Sequence, residues 1–235
     1  MKRSILVVAS LSVATISAGA QVGHDPAHSP FVDVDFRQEL TLFGGPYAAK
    51  KDPAGVAPIG GSAIGVFYGW RAGGPAYLTA DVGTITTHRT VLDPAKPKAT
   101  RDLGTSSWPL YTANAGLSLA LTGAKSYHRF MPMVRGGIGL VSDFKSEADT
   151  GGFKFGTRFA LNWGAGIRWV PGGRWQLRAD WLNLLYTVAY PNTYYSPPQT
   201  SGGNPVPPIL SADVAKSRWT NNSAFTLGLS YLFSR

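Results

Sequence analysis

Hydrophobic and polar residues alternate with a period of two along much of this chain, most clearly on either side of Pro171-Gly172-Gly173. Over residues 154–170, Phe155, Thr157, Phe159, Leu161, Trp163, Ala165, Ile167 and Trp169 share one face, and Gly156, Arg158, Ala160, Asn162, Gly164, Gly166 and Arg168 share the other. Over 174–186, Trp175, Leu177, Ala179 and Trp181 stand opposite Gln176, Arg178 and Asp180. A period of two is a strand, and a Pro-Gly-Gly link joins these two as a hairpin. The second face decides the fold class. A soluble sandwich hides its apolar face against another sheet, whereas here charge and glycine occupy the alternate face of strands too long for most soluble sheets. Apolar outside, polar and small inside, is the pattern of a closed barrel whose solvent is lipid.

The same alternation predicts strands at about 33–44, 60–71, 76–87, 108–122, 130–142, 154–170, 174–186 and 220–233. The polar face of this set carries Arg37, Glu39, Asp81, Arg135, Arg158, Arg168, Arg178 and Asp180. Short links follow the second, fourth and sixth strands; longer loops, near 45–58, 88–107, 143–153 and 188–219, follow the others. One rim therefore has turns and the other has loops. The prediction is an all-β, eight-stranded antiparallel up-and-down transmembrane barrel, with short periplasmic turns, long extracellular loops and both termini in the periplasm. Tyr68, Trp70, Trp169, Trp175, Tyr231 and Phe233 fall on the outward face near the short-link rim, as a membrane-interface girdle requires.

The N-terminus supports export. Lys2-Arg3, an apolar stretch from Ser4 to Ser17 and Ala18-Gly19-Ala20 read as a signal peptide over 1–20. A periplasmic lead-in over 21–32 and a barrel over 33–235 complete the expected organisation. No other stretch is long and apolar enough for a spanning helix. The 28 Gly, 17 Pro, 7 Trp, 10 Tyr and 11 Phe favour turns and strands. The absence of cysteine excludes a disulfide framework and a thiol nucleophile. The formal charge is +9, of which Lys2 and Arg3 supply two, leaving +7 on the mature chain. The basic residues form neither a run nor a basic helix, so no nucleic-acid partner is expected.

On these residues the chain resembles the small outer-membrane β-barrel superfamily that includes the OmpA transmembrane domain. The resemblance is carried by the leader, the eight alternating strands, Arg178-Ala179-Asp180-Trp181, and the end Phe225-Thr226-Leu227-Gly228-Leu229-Ser230-Tyr231-Leu232-Phe233, after which come Ser234-Arg235. It implies residence in the outer membrane among lipopolysaccharide, and insertion by the barrel-assembly machinery through the C-terminal strand 220–233.

The eight polar-face charges have no room to stay apart in so narrow a barrel, so they are expected to pair into a structural plug. Five arginines against three acids leave a second expectation, a narrow anion-preferring pore. A lipid A-modifying enzyme is the alternative from another class, with His88 beside Thr86, Thr87 and Thr90, and His128 between Tyr127 and Arg129, as its candidates. Neither offers a His-x-Ser arrangement, and no catalytic residue is assigned. His24 and His28 lack a third ligand, so neither metal nor cofactor is expected. The tyrosines Tyr186, Tyr190, Tyr194 and Tyr195, in and beside loop 188–219, suggest binding of an extracellular ligand. The sequence thus points to a non-enzymatic protein with an envelope-structural or surface-contact role.

Overall fold

The computed structural model describes residues 29–197 and 205–233. The expected signal peptide, His24, His28 and Ser234-Arg235 lie outside the described residues. Eleven strands follow one another: β1 (Phe31–Asp33), β2 (Gln38–Ala48), β3 (Ile59–Gly73), β4 (Ala76–Leu92), β5 (Asp102–Ser107), β6 (Leu110–Ala120), β7 (Lys125–Tyr127), β8 (Phe130–Ser142), β9 (Thr157–Trp169), β10 (Trp175–Ala189) and β11 (Ser217–Phe233). Eight of them, β2, β3, β4, β6, β8, β9, β10 and β11, pair in that order. The ring closes where β11 returns to β2, from Ser223 opposite Ala48 to Phe233 opposite Gln38. Every pairing is antiparallel, so this is an eight-stranded up-and-down barrel. Closure leaves no strand edge unpaired in lipid.

Side-chain parity runs as the alternation requires. On the outside, Leu42, Val82 and Leu227 are 61%, 59% and 60% exposed. Their inward neighbours Thr41, Asp81 and Thr226 are buried. An apolar outer wall around a polar interior suits lipid outside. No helix among the described residues is long and apolar enough to cross a membrane, which says nothing of a β-barrel.

Several strand boundaries differ from expectation. The first barrel strand begins at Gln38, not 33: Phe31–Asp33 forms β1 and pairs with Lys125–Tyr127 in the link after β6. The third strand runs on to Leu92, because β5 folds back from the second long loop and pairs with it. Phe155 is not on the outer face. Gly156 has φ +65, which turns the chain out of β9 and sends Phe155 into the interior at 1% exposure. The seventh and eighth strands extend to Ala189 and from Ser217, shortening the last loop between them.

Candidate functional site

The interior is the first place to look for function, because charge is concentrated there. Glu39 on β2 is the hub. Its Oε1 accepts from Arg168 Nη2 at 2.6 Å and Arg178 Nη1 at 3.1 Å, and its Oε2 accepts from Gln176 Nε2 at 2.7 Å. Arg178 turns its other edge to Asp180, in a fork with Nε to Oδ2 at 2.7 Å and Nη2 to Oδ1 at 3.0 Å. Such two-pronged guanidinium to carboxylate pairs are the strong ones. A second group holds Asp81, whose Oδ1 accepts from Arg135 at 2.5 Å and whose Oδ2 accepts from Asn114 Nδ2 at 2.7 Å. Asn162 Nδ2 extends that chain to Asn114 Oδ1 at 3.3 Å. Phe67 ties the groups together: its ring lies 4.1 Å from the Arg178 guanidinium and 5.3 Å from that of Arg135.

Glycine makes the space. A Cβ on Gly69 would stand 2.6 Å from Glu39 Oε1, and one on Gly166 would collide with the Asp180 carboxylate.

Six of the eight polar-face residues meet here, as three arginines with three acids. Arg37 does not. It precedes β2 in the irregular stretch after β1 and is exposed, because the strand that was to turn it inward begins one residue later. Arg158 keeps inward parity but sits high on β9, half-buried, where Nη2 donates to the Lys154 carbonyl at 3.4 Å. The arginine excess that suggested an anion-preferring interior is therefore absent from the central cluster.

An apolar cluster lies towards each end of the barrel. At the short-link end, Val34, Tyr77, Ala120, Met131 and Met133 form a small cluster, and Val34 is held by Arg71 Nη1 donating to its carbonyl at 2.6 Å. Tyr77 also lies 4.9 Å under the Arg168 guanidinium, joining this cluster to the charges. At the long-loop end the loops fold together into a cap. Its core includes Val56, Leu92, Trp108, Leu110, Phe153, Phe155, Tyr186, Tyr190, Tyr194 and Leu210. Arg89 is buried inside it, with Nη1 2.6 Å from Asp149 Oδ2, Nε donating to the Val56 carbonyl at 2.8 Å, and the Trp108 and Phe153 rings at 4.6 and 4.4 Å. Asp149 Oδ1 also receives the amides of Gly151 and Phe153 at 2.9 and 2.8 Å. Asp52 accepts from the Ala54 and Ala57 amides and from Tyr190 OH at 3.0 Å. Burial, and then the Asp52 carboxylate, push the Tyr190 hydroxyl pKa well above its ordinary value; burial does the same to Tyr194, with Asp149 adding to it. Between cap and charge cluster lies a cavity of about 60 Å³, lined in part by Phe43, Asp81, Asn114, Arg135, Leu182 and Leu184, with room for a few waters.

Sequence reasoning placed Arg89 and Asp149 in loops and missed their pairing. The signal was present: the alternation of strand three continues through Thr87, Arg89 and Val91, which gives Arg89 inward parity. The tyrosines expected to face a ligand turn the other way, since Tyr186, Tyr190 and Tyr194 are buried in the cap core. The rigid aromatic area offered to a partner by loop 188–219 is thereby mostly spent inside the protein.

Outside, the expected girdle residues lie together at the short-link rim. The rings of Trp175, Tyr231 and Phe233 are neighbours in space, with centroids 5.1 and 6.4 Å apart, and Phe233 is 6.4 Å from Tyr68. Trp70 is opposite Gln38, and Trp169 is opposite both Leu177 and Phe130. Phe31 and Tyr127, 5.1 Å apart, extend the aromatic surface past the barrel wall. Tyr111, Phe144 and Trp219 are exposed at the opposite rim.

His88 and His128 lie at opposite ends of the barrel. His88 is exposed on β4 opposite Ser107, and His128 is in the turn before β8 with φ 46, edge-on to Tyr127 at 4.5 Å. No hydrogen bond from either imidazole to a serine or carboxylate is present among the described residues, and no group of His, Asp and Glu there could hold a metal ion.

No protein-family model matches the sequence, and no curated protein matches it. Solved structures do. The chain is similar to the outer membrane protein OprG from Pseudomonas aeruginosa, at TM-score 0.51 and 12% identity over 85% of this chain and 98% of that one. It is also similar to Neisserial surface protein A, at TM-score 0.49 and 10% identity over 83% and 97% of the two chains, and to Ail of Yersinia pestis, at 0.41 and 11% over 85% and 100%. At 12% identity the OprG likeness shows the fold alone, and the two weaker likenesses add nothing to it. The chain has the fold of a small outer-membrane β-barrel.

Proposed function

We propose that this protein is a sealed, non-enzymatic barrel of the outer membrane, structural in the envelope and in contact with its surroundings through the folded extracellular cap. The observation that carries this reading is the filling of the lumen. Three arginines and three acids pair across it, and an apolar cluster lies towards each end. A conducting path needs a continuous polar channel, and side-chain packing here interrupts it twice. The anion-preferring pore rested on an arginine excess that the central cluster lacks. A lipid A-modifying enzyme would need an imidazole beside a nucleophile and an orienting acid. Insertion would proceed through the barrel-assembly machinery reading strand 220–233.

A liposome-swelling assay tests the reading. The full chain, refolded and shown folded by a heat-modifiable gel band, should admit neither arabinose nor glycine faster than empty liposomes. Swelling proportional to protein content would overturn the sealed barrel in favour of a pore.

A further inference from the structure

The cations of the outer rim are not all used alike. Lys96 is 3.9 Å from Asp93, Lys145 lies 3.4 Å from the centre of the Trp108 ring, and Lys216 donates to Asn192 at 2.9 Å. Lys50, Lys51 and Arg218 have no salt bridge among the described residues, although all three are exposed and line one cleft where β2 meets β11. The nearby acid does not neutralise them, because Asp52 turns its oxygens to Ala54, Ala57 and Tyr190. Trp219, half exposed, lies in the same cleft.

Below the cations, on the same outward face of the wall, there is a polar step. Strand register places Asn183 opposite Ser223 and Leu185 opposite Asn221. Asn183 Oδ1 accepts from Ser223 Oγ at 2.8 Å and from Asn221 Nδ2 at 3.3 Å, and of these residues Asn183 is buried whereas Asn221 is exposed. Three cations without a salt bridge among the described residues, an exposed tryptophan beside them and the exposed polar Asn221 one step deeper fit a single kind of lipid.

We propose that the β2–β11 seam binds the phosphorylated sugar headgroup of an outer-leaflet glycolipid, with Lys50, Lys51 and Arg218 on its phosphates and the exposed Asn221 beneath them. The assignment rests on the reading above that the long loops face outward. Phosphate could equally come from a phospholipid, so the probes separate the two. Native mass spectrometry of the refolded full chain, titrated with bisphosphoryl lipid A, monophosphoryl lipid A or phosphatidylglycerol, should give tightest retention for the first. Lys50→Gln/Lys51→Gln/Arg218→Gln should weaken lipid A retention by about 100-fold, and the same changes at Lys96 and Lys154 should not. Equal retention by the triple variant and the parent would overturn the seam, and equal retention of phosphatidylglycerol would overturn its glycolipid character. Because the chain has no cysteine, Lys96→Cys labelled on intact cells reports orientation separately. Labelling together with an unaffected triple variant sinks the seam alone, whereas absence of labelling sinks the outward-facing reading with it.

Discussion

The middle of the barrel and the cap above it are both tightly filled, but with opposite chemistry. In the middle, Glu39, Asp81 and Asp180 are paired with Arg135, Arg168 and Arg178, and the Phe67 ring serves as a platform for two guanidinium groups. In the cap the proportions reverse: one ion pair, Arg89 with Asp149, sits inside a shell of aromatic and aliphatic side chains. The difference follows from what each region must do. Strand pairing already fixes the lumen residues in register, so they have only to satisfy one another. Loops have no such frame, and ordering each residue costs about 1–2 kcal/mol of backbone entropy, which only a hydrophobic core of their own can offset.

The sharpest way to break the comparison is at the hub. Glu39→Ala leaves Arg168 and Arg178 buried without their shared acceptor, and should destabilise the barrel by about 3–5 kcal/mol. The urea midpoint of the heat-modifiable form should fall accordingly; an unchanged midpoint would mean that water, not Glu39, balances those arginines. Arg89→Met comes next. It strands Asp149 in an apolar shell, and should open the cap by about 3 kcal/mol while leaving the barrel midpoint in place. Trypsin cleavage at Lys145 and Lys154 would report it, and resistance equal to the parent would show that the cap does not depend on the pair.

Tyr190→Phe should cost about 1 kcal/mol, the hydrogen bond to Asp52, and it has a spectroscopic signature. With the folded pKa held above the unfolded value of about 10, the stabilisation from the neutral hydroxyl is fully present below pH 10 and is lost as pH rises through the folded value. Tyrosinate absorbance should show a late-titrating class that loses one member in the variant; a titration identical to the parent's would place Tyr190 in solvent. The smallest effect is expected for Arg37→Gln, under about 0.5 kcal/mol, because Arg37 is exposed outside the cluster. A loss comparable to that of Glu39→Ala would return it to the lumen.

How much of this was legible in the sequence divides along the same line. A strand's parity is local information, so Glu39, Asp81, Arg135, Arg168, Arg178 and Asp180 could be read as inward-facing from the alternation alone. Arg37 was misread because the backbone irregularity after β1 has no marker in the alternation. The cap was not legible, since its contacts join loops far apart in sequence, such as Arg101 Nη2 to the Pro207 carbonyl and Thr193 Oγ1 to the Gly151 carbonyl. Tyrosines among prolines look the same in a string whether they face a partner or, like Tyr194, a core. The pairing of Phe31–Asp33 with Lys125–Tyr127 was hidden for the same reason.

Conductance of the refolded full chain in a planar bilayer tests the central claim most directly. A folded protein that inserts and gives no discrete current steps, in either polarity, is what a lumen plugged by ion pairs, with an apolar cluster towards each end, predicts. Anion-selective steps that vanish when Arg135 and Arg168 are neutralised would contradict it.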